Sequence, residues 1–178
     1  MPHLNIEIKA HCPNLQTISD VLHAHHADFR GTDHQTDTYF KVNHGRLKLR
    51  EGNIENGLIY YEREDHSGPK RSDVTLVPTA RGTPLKALLT QALGMLMVVE
   101  KHRDIYFIDN VKFHLDEVEG LGSFVEIEAI DYDGNIGSER LRVQCHEFLA
   151  LFNIQPDQLV AVSYSDLLLR TGFPPSRE

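Results

Sequence analysis

The sequence has no tryptophan, only two cysteines and no excess of positive charge. Its 178 residues include 18 Lys and Arg against 26 Asp and Glu, a formal net charge of −8. Proteins that bind nucleic acid need a basic surface, so this balance argues against a nucleic-acid partner. It leaves room for a small anionic ligand held in a local basic pocket.

Disulfide frameworks and long apolar runs are also missing. Cys12 and Cys145 lie far apart and lack the spacing of a zinc finger. Such usage is typical of reduced thiols in the cytosol. No apolar run approaches the ~20 residues of a membrane span, and no basic region followed by an apolar one marks a signal peptide at the N-terminus. We therefore expect a cytoplasmic protein with no membrane partner.

What the sequence does contain is a series of strands that carry charge on one face. In the first, Asn5, Glu7 and Lys9 alternate with apolar residues. The stretch 46–50 alternates three cations with two leucines. Taken alone, 46–50 would be typical of an exposed edge strand, where cations discourage aggregation. The stretches near 60, 102, 114 and 126 repeat the arrangement, which favours a shared charged surface instead.

Turn signals connect the strands as hairpins, and about four helices carry apolar stripes. One stripe consists of Leu85, Leu88, Leu89 and Ala92. We expect an α+β protein: a closed antiparallel β-barrel of seven or eight strands with a charged interior and helices packed outside. The length fits a single domain over 1–172, followed by a disordered tail over 173–178.

The expected interior contains more cations than carboxylates. Its cations are Lys9, Arg46, Lys48, Arg50, Arg63, Lys101 and Arg103, and its carboxylates are Glu7, Asp116, Glu126 and Glu128. Unpaired buried charges are very costly, and complete mutual pairing would still leave three cations. The surplus predicts an anionic ligand.

The carboxylates predict a metal beside that anion. Clustered carboxylate oxygens bind Mg²⁺ or Mn²⁺, and these ions bridge phosphate oxygens. Arginine and lysine side chains around a metal-bound polyphosphate recur in phosphoryl chemistry. We therefore expect a polyphosphate inside the barrel, with Mg²⁺ or Mn²⁺ at Glu7, Glu126 and Glu128.

Several motifs together resemble one known family in their order and spacing. They are Ile6-Glu7-Ile8-Lys9, Asp37-Thr38-Tyr39-Phe40, Arg46-Leu47-Lys48-Leu49-Arg50, Leu58-Ile59-Tyr60-Tyr61-Glu62-Arg63, Lys101-His102-Arg103, Leu115-Asp116 and Phe124-Val125-Glu126-Ile127-Glu128. Over nearly its whole length the chain resembles the CYTH superfamily, or triphosphate tunnel metalloenzymes, and most of all its class IV adenylyl cyclase-like group. One departure is Asn5, which stands at the first Glu of the family's Glu-x-Glu-x-Lys motif. Asparagine offers a carbonyl oxygen but no negative charge.

The resemblance implies an eight-stranded tunnel that binds a triphosphate. By position, Glu7, Glu126 and Glu128 would hold the metal, and Asp116, Lys101 and Arg103 would be catalytic. Ser72 would lie on a loop near the substrate. The phosphate ligands implied are Lys9, Arg46, Lys48, Arg50, Arg63, Lys70, Lys101 and Arg103.

The resemblance favours a class IV adenylyl cyclase-like enzyme, which converts ATP to cyclic AMP and pyrophosphate. A triphosphatase acting on tripolyphosphate, thiamine triphosphate or a nucleoside triphosphate needs the same positioned phosphates and metal. A non-catalytic polyphosphate- or nucleotide-binding module and a purely structural barrel remain as alternatives. A homodimer is also left open.

Overall fold

The structure is a computed structural model that describes residues 2–172. The predicted disordered tail, 173–178, lies outside the described residues. The strands are β1 (Pro2–His11), β2 (Asp28–Phe40), β3 (Arg46–Glu51), β4 (Asn56–Arg63), β5 (Lys70–Pro78), β6 (Met95–Ile108), β7 (Val111–Val118), β8 (Gly122–Asp131) and the short β9 (Leu159–Val160). The helices are α1 (Leu15–Ala24), α2 (Leu85–Leu93), α3 (Ser138–Leu151) and α4 (Tyr164–Thr171).

Eight strands close into an antiparallel barrel, which confirms the predicted fold. Their order is β5-β4-β3-β2-β6-β7-β8-β1, and β1 pairs with β5 to close the ring. Glu7 of β1 lies opposite Glu128 of β8 on one side and Lys70 of β5 on the other. The short β9 pairs with the end of β1. Closure leaves no free edge along most of the barrel, so strand pairing with other chains is blocked.

The apolar strand faces point outward and are covered by helices. Ile6 and Ile8 of β1 and Phe113 of β7 are buried in one cluster with Leu22 of α1 and Leu141 of α3. Burying one such side chain contributes about 1.5–3 kcal/mol. This packing holds the outer wall of β1, β7 and β8 and turns the charged face of the same strands inward.

A second apolar cluster packs α4 against one end of the barrel. Tyr164 and Leu168 of α4 contact Tyr39, Val99 and Phe124 on the strands. Ser163 begins the helix, accepting a hydrogen bond from the backbone N–H of Asp166. The aromatic ring of Tyr164 therefore forms part of the tunnel lining.

Helix α2 differs from the other helices because its apolar stripe is not buried. None of its nine residues is buried, and Leu88 is 59% exposed. It contacts mainly β2, so the predicted packing of its stripe on the barrel is incomplete. Within residues 2–172, no helix combines the length and apolar character needed to cross a membrane.

Candidate active site

The barrel encloses a cavity of about 410 Å³, within the size range of small-molecule sites. Every strand from β1 to β8 contributes to its lining. Besides His3 and four tyrosines, the charged and titratable residues in that lining are Glu7, Lys9, Lys48, Arg50, Glu55, Arg63, Lys101, Arg103, Lys112, His114, Glu126 and Glu128. Nine of these are residues that the sequence predicted for the site, so the structure brings most of the set together.

Three predicted side chains lie away from the cavity. Arg46 binds Asp166 of α4 at 2.8 Å. Lys70 donates to the backbone carbonyls of His66, Val160 and Ala161 at 3.0–3.1 Å, which ties the loop before β5 to β9. Asp116 lies fully buried behind Arg103. In the described structure these residues support the barrel and its loops.

One side of the cavity is a cluster of cations around a single carboxylate, here called the basic wall: Lys48, Arg50, Lys101 and Asp37. Arg50 donates two hydrogen bonds to Asp37, at 2.9 and 2.8 Å. Lys101 donates to the same carboxylate at 2.7 Å, and Lys48 lies 3.2 Å from it. Asp37 comes from β2, between β3 and β6, so strand order alone brings the three cations to it.

The basic wall carries more positive charge than its carboxylate neutralises. Burial alone would raise the pKa of Asp37, but Arg50, Lys101 and Lys48 hold it well below its usual range. Burial lowers the pKa of Lys101 well below its usual value; Asp37 opposes this, whereas Arg50 and Arg103 reinforce it. A fully buried amine among cations is stabilised in its charged form by an added anion. The basic wall is therefore suited to a phosphate group.

Arg103 is fixed beside the basic wall by a buried hydrogen-bond network. Its guanidinium donates two bonds of 2.7 Å to Asp116, and Tyr164 donates to the same carboxylate at 2.6 Å. Burial opposes ionisation of Asp116, but Arg103 outweighs it, and the pKa of Asp116 is lowered. A bidentate arginine held in this way presents its remaining donors at a fixed angle.

The other side of the cavity is here called the acidic wall: Glu7, His114, Glu126 and Glu128. The β7–β8 register places His114 opposite Glu126, and the β1–β8 register places Glu7 opposite Glu128. One ligand atom from each of His114, Glu126 and Glu128 lies within 4.8 Å of the others. Cross-strand neighbours on one face approach at this spacing, so three strands are enough to build the cluster.

The acidic wall contains groups that the protein alone does not satisfy. Burial raises the pKa of Glu128 to about 7, and the nearby charges of Glu7 and Glu126 add to the shift despite Lys112. Neither ring nitrogen of His114 makes a hydrogen bond, and Oδ1 of Asn5 is also buried without one. Carboxylate oxygens beside unpartnered polar atoms form a donor set that fits a divalent cation.

Two cations compensate part of the negative charge of the acidic wall. Arg63 donates to Glu7 at 2.9 Å, and Lys9 lies 3.6 Å from Glu126. Lys9 also lies over the ring of Tyr164, with its Nζ 3.9 Å from the ring centroid. The three carboxylates thus face Arg63 and Lys9, and Lys112, which is paired with Glu55, lies near Glu128 as a third cation.

Sequence reasoning missed four groups that contribute to the site: Asp37, Glu55, Lys112 and His114. Glu55 precedes β4 and pairs with Lys112 and with Arg50. The interior cations become Lys9, Lys48, Arg50, Arg63, Lys101, Arg103 and Lys112, and the carboxylates Glu7, Asp37, Glu55, Asp116, Glu126 and Glu128. The cavity lining keeps seven cations against four carboxylates, the same surplus of three that the sequence predicted. The buried carboxylates of Asp37 and Asp116, which lie behind the lining, reduce this surplus to one. The positive and negative charges are also concentrated on different sides.

Comparison with known proteins agrees with this architecture. The pattern of the CYTH domain family matches residues 3–164. A Methanocaldococcus jannaschii protein named "Putative adenylate cyclase MJ0240" is 33% identical over 69 residues, a match that spans 39% of each chain. The matched part is thus about two fifths of that relative's length.

Solved structures share the fold over nearly the whole chain. The PH1012 protein of Pyrococcus horikoshii has a TM-score of 0.75 at 24% identity, covering 92% of this chain and 98% of that one. The Hippeastrum protein HpAC1, described as having a dominant triphosphatase activity, has a TM-score of 0.62 at 16% identity and covers 96% of both chains. At these identities the likeness concerns the fold alone. The match over residues 3–164 shows that the chain belongs to the CYTH domain family.

Proposed function

We propose that the protein is a divalent-metal-dependent enzyme that acts on a triphosphate bound inside the barrel. The observation that carries this proposal is the separation of charge across one cavity. The acidic wall belongs to the consecutive strands β7, β8 and β1, and the basic wall to the consecutive strands β3, β2 and β6; the two sets meet where β6 pairs with β7 and are separated on the other side by β4 and β5. A metal ion and a polyphosphate together match this arrangement, whereas an anion alone matches only half of it.

The basic wall and Arg103 are the phosphate-binding groups in this proposal. Lys48, Arg50 and Lys101 supply charge-assisted hydrogen bonds, and Asp37 keeps them in place. Arg103 keeps its orientation through Asp116, so it stabilises charge on a reacting phosphate without rearrangement. Lys9 and Arg63 line the opposite side and extend the cationic contacts along the cavity.

The acidic wall is the metal-binding side. Glu7, Glu126 and Glu128 would hold Mg²⁺ or Mn²⁺, in agreement with the unpartnered polar atoms beside them. When bound, the ion supplies Lewis-acid polarisation of a phosphate oxygen and neutralises charge on the substrate. The protein's own part is to place a phosphate between the two walls and to exclude bulk water.

Among triphosphate reactions, we favour a class IV adenylyl cyclase-like conversion of ATP to cyclic AMP and pyrophosphate. The lining of the cavity also includes the apolar and aromatic side chains of Phe107, Tyr132, Ile130, Ile54 and Leu76. Such a surface can bury a nucleobase next to a held triphosphate. The name of the Methanocaldococcus relative supports the same reaction class.

Hydrolysis of a triphosphate is the second candidate. The charged part of the cavity needs no base in order to hold a linear polyphosphate, so tripolyphosphate would engage both walls. The fold shared with HpAC1, a protein described by a dominant triphosphatase activity, favours including this reaction.

The deciding experiment measures each product separately. The full chain is incubated with ATP, tripolyphosphate or thiamine triphosphate, with Mn²⁺ or Mg²⁺, and cyclic AMP, pyrophosphate and phosphate are quantified by anion-exchange chromatography. We expect equal amounts of cyclic AMP and pyrophosphate from ATP. Phosphate release without cyclic AMP would establish the triphosphatase instead, and binding without any turnover would contradict an enzyme.

A matched pair of variants assigns the activity to the tunnel. Glu128→Gln removes an acidic-wall oxygen charge at nearly constant volume and should abolish metal-dependent turnover. Glu117→Gln changes an exposed residue of the neighbouring strand β7 and should leave turnover unchanged. Equal activity of the two variants would exclude Glu128 from the metal site.

A further inference from the structure

We propose that His114 is a nitrogen ligand of the divalent cation at the acidic wall, and that it makes the site select Mn²⁺ over Mg²⁺. The inference deepens the proposed function, since it concerns the ion that would accompany the triphosphate. The sequence predicted only carboxylate ligands for this cation, and therefore no preference between the two metals.

The imidazole of His114 is buried in the acidic wall without a well-formed hydrogen bond. His114 is only 2% exposed, and neither of its ring nitrogens makes a hydrogen bond of normal geometry within the described structure, so its polar contacts are the distant carboxylates of Glu126 and Glu128. Its Nδ1 lies 3.4 Å from Glu126 and its Nε2 lies 3.9 Å from Glu128. Buried polar side-chain atoms normally have a partner. A side chain that lines a cavity and lacks one is in place to bind something from that cavity.

The carboxylate of Glu128 is oriented with one oxygen toward His114. The amide of Asn5 donates to Oε1 of Glu128, whereas Oε2 of Glu128 is the oxygen nearer to His114. Asn5 is itself buried, at 1% exposed. Asn5 is therefore a positioning residue that occupies one carboxylate oxygen and leaves the other facing the imidazole.

The proposed donor set combines an imidazole nitrogen with carboxylate oxygens. Mg²⁺ strongly favours oxygen ligands in a strict octahedron and gives up its waters reluctantly. Imidazole suits transition-metal ions, and among first-row divalent ions Mn²⁺ also accepts the oxygen ligands that surround it here. A site with one imidazole and two or more carboxylates therefore gains affinity for Mn²⁺ that Mg²⁺ cannot match.

The test detects the Mn–N bond directly. The full chain is loaded with one equivalent of Mn²⁺ in the absence of substrate, and electron spin echo envelope modulation is recorded for the coupling of a ¹⁴N nucleus. We expect a ¹⁴N signal that is lost in His114→Gln and kept in His102→Gln. His102 is an exposed histidine of the adjacent strand β6, stacked on His34, so it controls for a general loss of histidine.

Affinity gives a second, independent measurement. Mn²⁺ titrations followed by electron paramagnetic resonance should show a dissociation constant raised on the order of 10-fold or more in His114→Gln. Mg²⁺ affinity, measured by competition, should change by less than about 3-fold, since Mg²⁺ does not depend on the nitrogen. If the variant does not fold, ¹⁵N-histidine labelling of the unsubstituted protein replaces it, because the coupling pattern then changes from ¹⁴N to ¹⁵N.

The outcomes separate this inference from the proposed function. Stoichiometric Mn²⁺ without nitrogen coupling, or no Mn²⁺ binding at all, would overturn the role of His114. Tripolyphosphate binding in EDTA is measured in parallel by calorimetry and reports on the basic wall. Retained tripolyphosphate binding with no nitrogen coupling would reject only the metal ligand, whereas no binding of tripolyphosphate with or without metal would reject the proposed function.

Discussion

The two sides of the tunnel differ in how their buried charged and polar groups are paired. In the basic wall, one carboxylate, Asp37, is shared by three cations at 2.7–3.2 Å. In the acidic wall, His114 and Asn5 retain buried atoms without hydrogen bonds, and the carboxyl of Glu128 has its pKa raised to about 7, first by burial and then by Glu7 and Glu126. The first wall is paired internally, whereas the second retains buried polar atoms without partners, which is the feature that supports the proposed metal site.

The difference indicates which parts of the site are structural in the free protein. Removal of one partner from a buried ion-pair cluster is strongly destabilising, because it leaves an unpaired buried charge. Unpartnered buried groups cost stability and persist at sites that bind ligands. Loss of the shared carboxylate of the basic wall should therefore destabilise the fold, whereas loss of an acidic-wall carboxylate should remove metal binding without destabilising the metal-free protein.

The largest expected effect comes from Asp37→Asn. The change leaves Arg50, Lys101 and Lys48 buried without their shared carboxylate, so the free energy of unfolding should fall by about 3–5 kcal/mol. Urea unfolding at pH 7.5, followed by circular dichroism, measures it.

A matched control is available on the same strand. Asp28→Asn removes a carboxylate of β2 whose partner is Arg30, and both side chains are more than half exposed. Exposed ion pairs contribute little, so a change within about 0.5 kcal/mol is expected. Equal effects of the two substitutions would mean that the basic wall is not the buried cluster described here.

The second effect tests the acidic wall through pH in metal-free protein. The folded-state pKa of Glu128 is raised from 4.5 to about 7 by burial and by Glu7 and Glu126. The protonated carboxyl therefore contributes to the free energy of unfolding in full below pH 4.5. This contribution is lost as the pH rises through 7. Glu128→Gln has no carboxyl at this position to ionise. In EDTA its free energy of unfolding should therefore rise relative to that of the unsubstituted protein between pH 4.5 and 7.5.

The size of this gain is on the order of 3 kcal/mol, read from urea unfolding at several pH values. The carboxylate of the basic wall gives no matching change in this window, because the pKa of Asp37 is held well below its usual range, its cations outweighing the effect of burial. Its contribution is lost only in strong acid. Parallel stability curves for Glu128→Gln and the unsubstituted protein would contradict a destabilised carboxyl at position 128.

A smaller effect separates ligand binding from folding within the basic wall. Lys48→Met leaves Asp37 with Arg50 and Lys101, so the free energy of unfolding should change by less than about 1 kcal/mol. Tripolyphosphate affinity should fall about tenfold through the loss of one charge-assisted contact. Calorimetric titration measures it. Removal of Arg50 would be a poorer test, because it strands a buried carboxylate.

Much of this site could be predicted from local sequence, because each side chain of a strand points to one of only two faces. Once β1 has its apolar face against helices, Glu7 and Lys9 must point inward. The same rule places Glu126 and Glu128 on the inner face of β8. The barrel and nine lining residues could therefore be predicted without any knowledge of tertiary contacts.

The remaining residues were missed for reasons that lie outside a single strand. Glu55 is in the connection before β4, where alternation does not apply, and its pairing with Lys112 joins residues 57 positions apart. His114 could have been found, because it shares a strand face with Lys112 and Asp116 and lies opposite Glu126 in the hairpin register. Its importance depends on the lack of hydrogen bonds, which only the structure reveals.

The smallest expected effect comes from Arg46→Gln, the counterpart of Lys48→Met on the same face of β3. Alternation predicted an inward-facing cation at position 46, and the family resemblance implied a phosphate ligand there. Arg46 is instead the first residue of β3, and its side chain binds Asp166, 120 residues later in the chain. Because this ion pair is partly exposed, the substitution should cost no more than about 1 kcal/mol of unfolding free energy. Tripolyphosphate affinity should stay within about twofold, the spread expected when a side chain outside the site is changed. A loss as large as that of Lys48→Met would show that Arg46 reaches the ligand and that the basic wall extends to the barrel end.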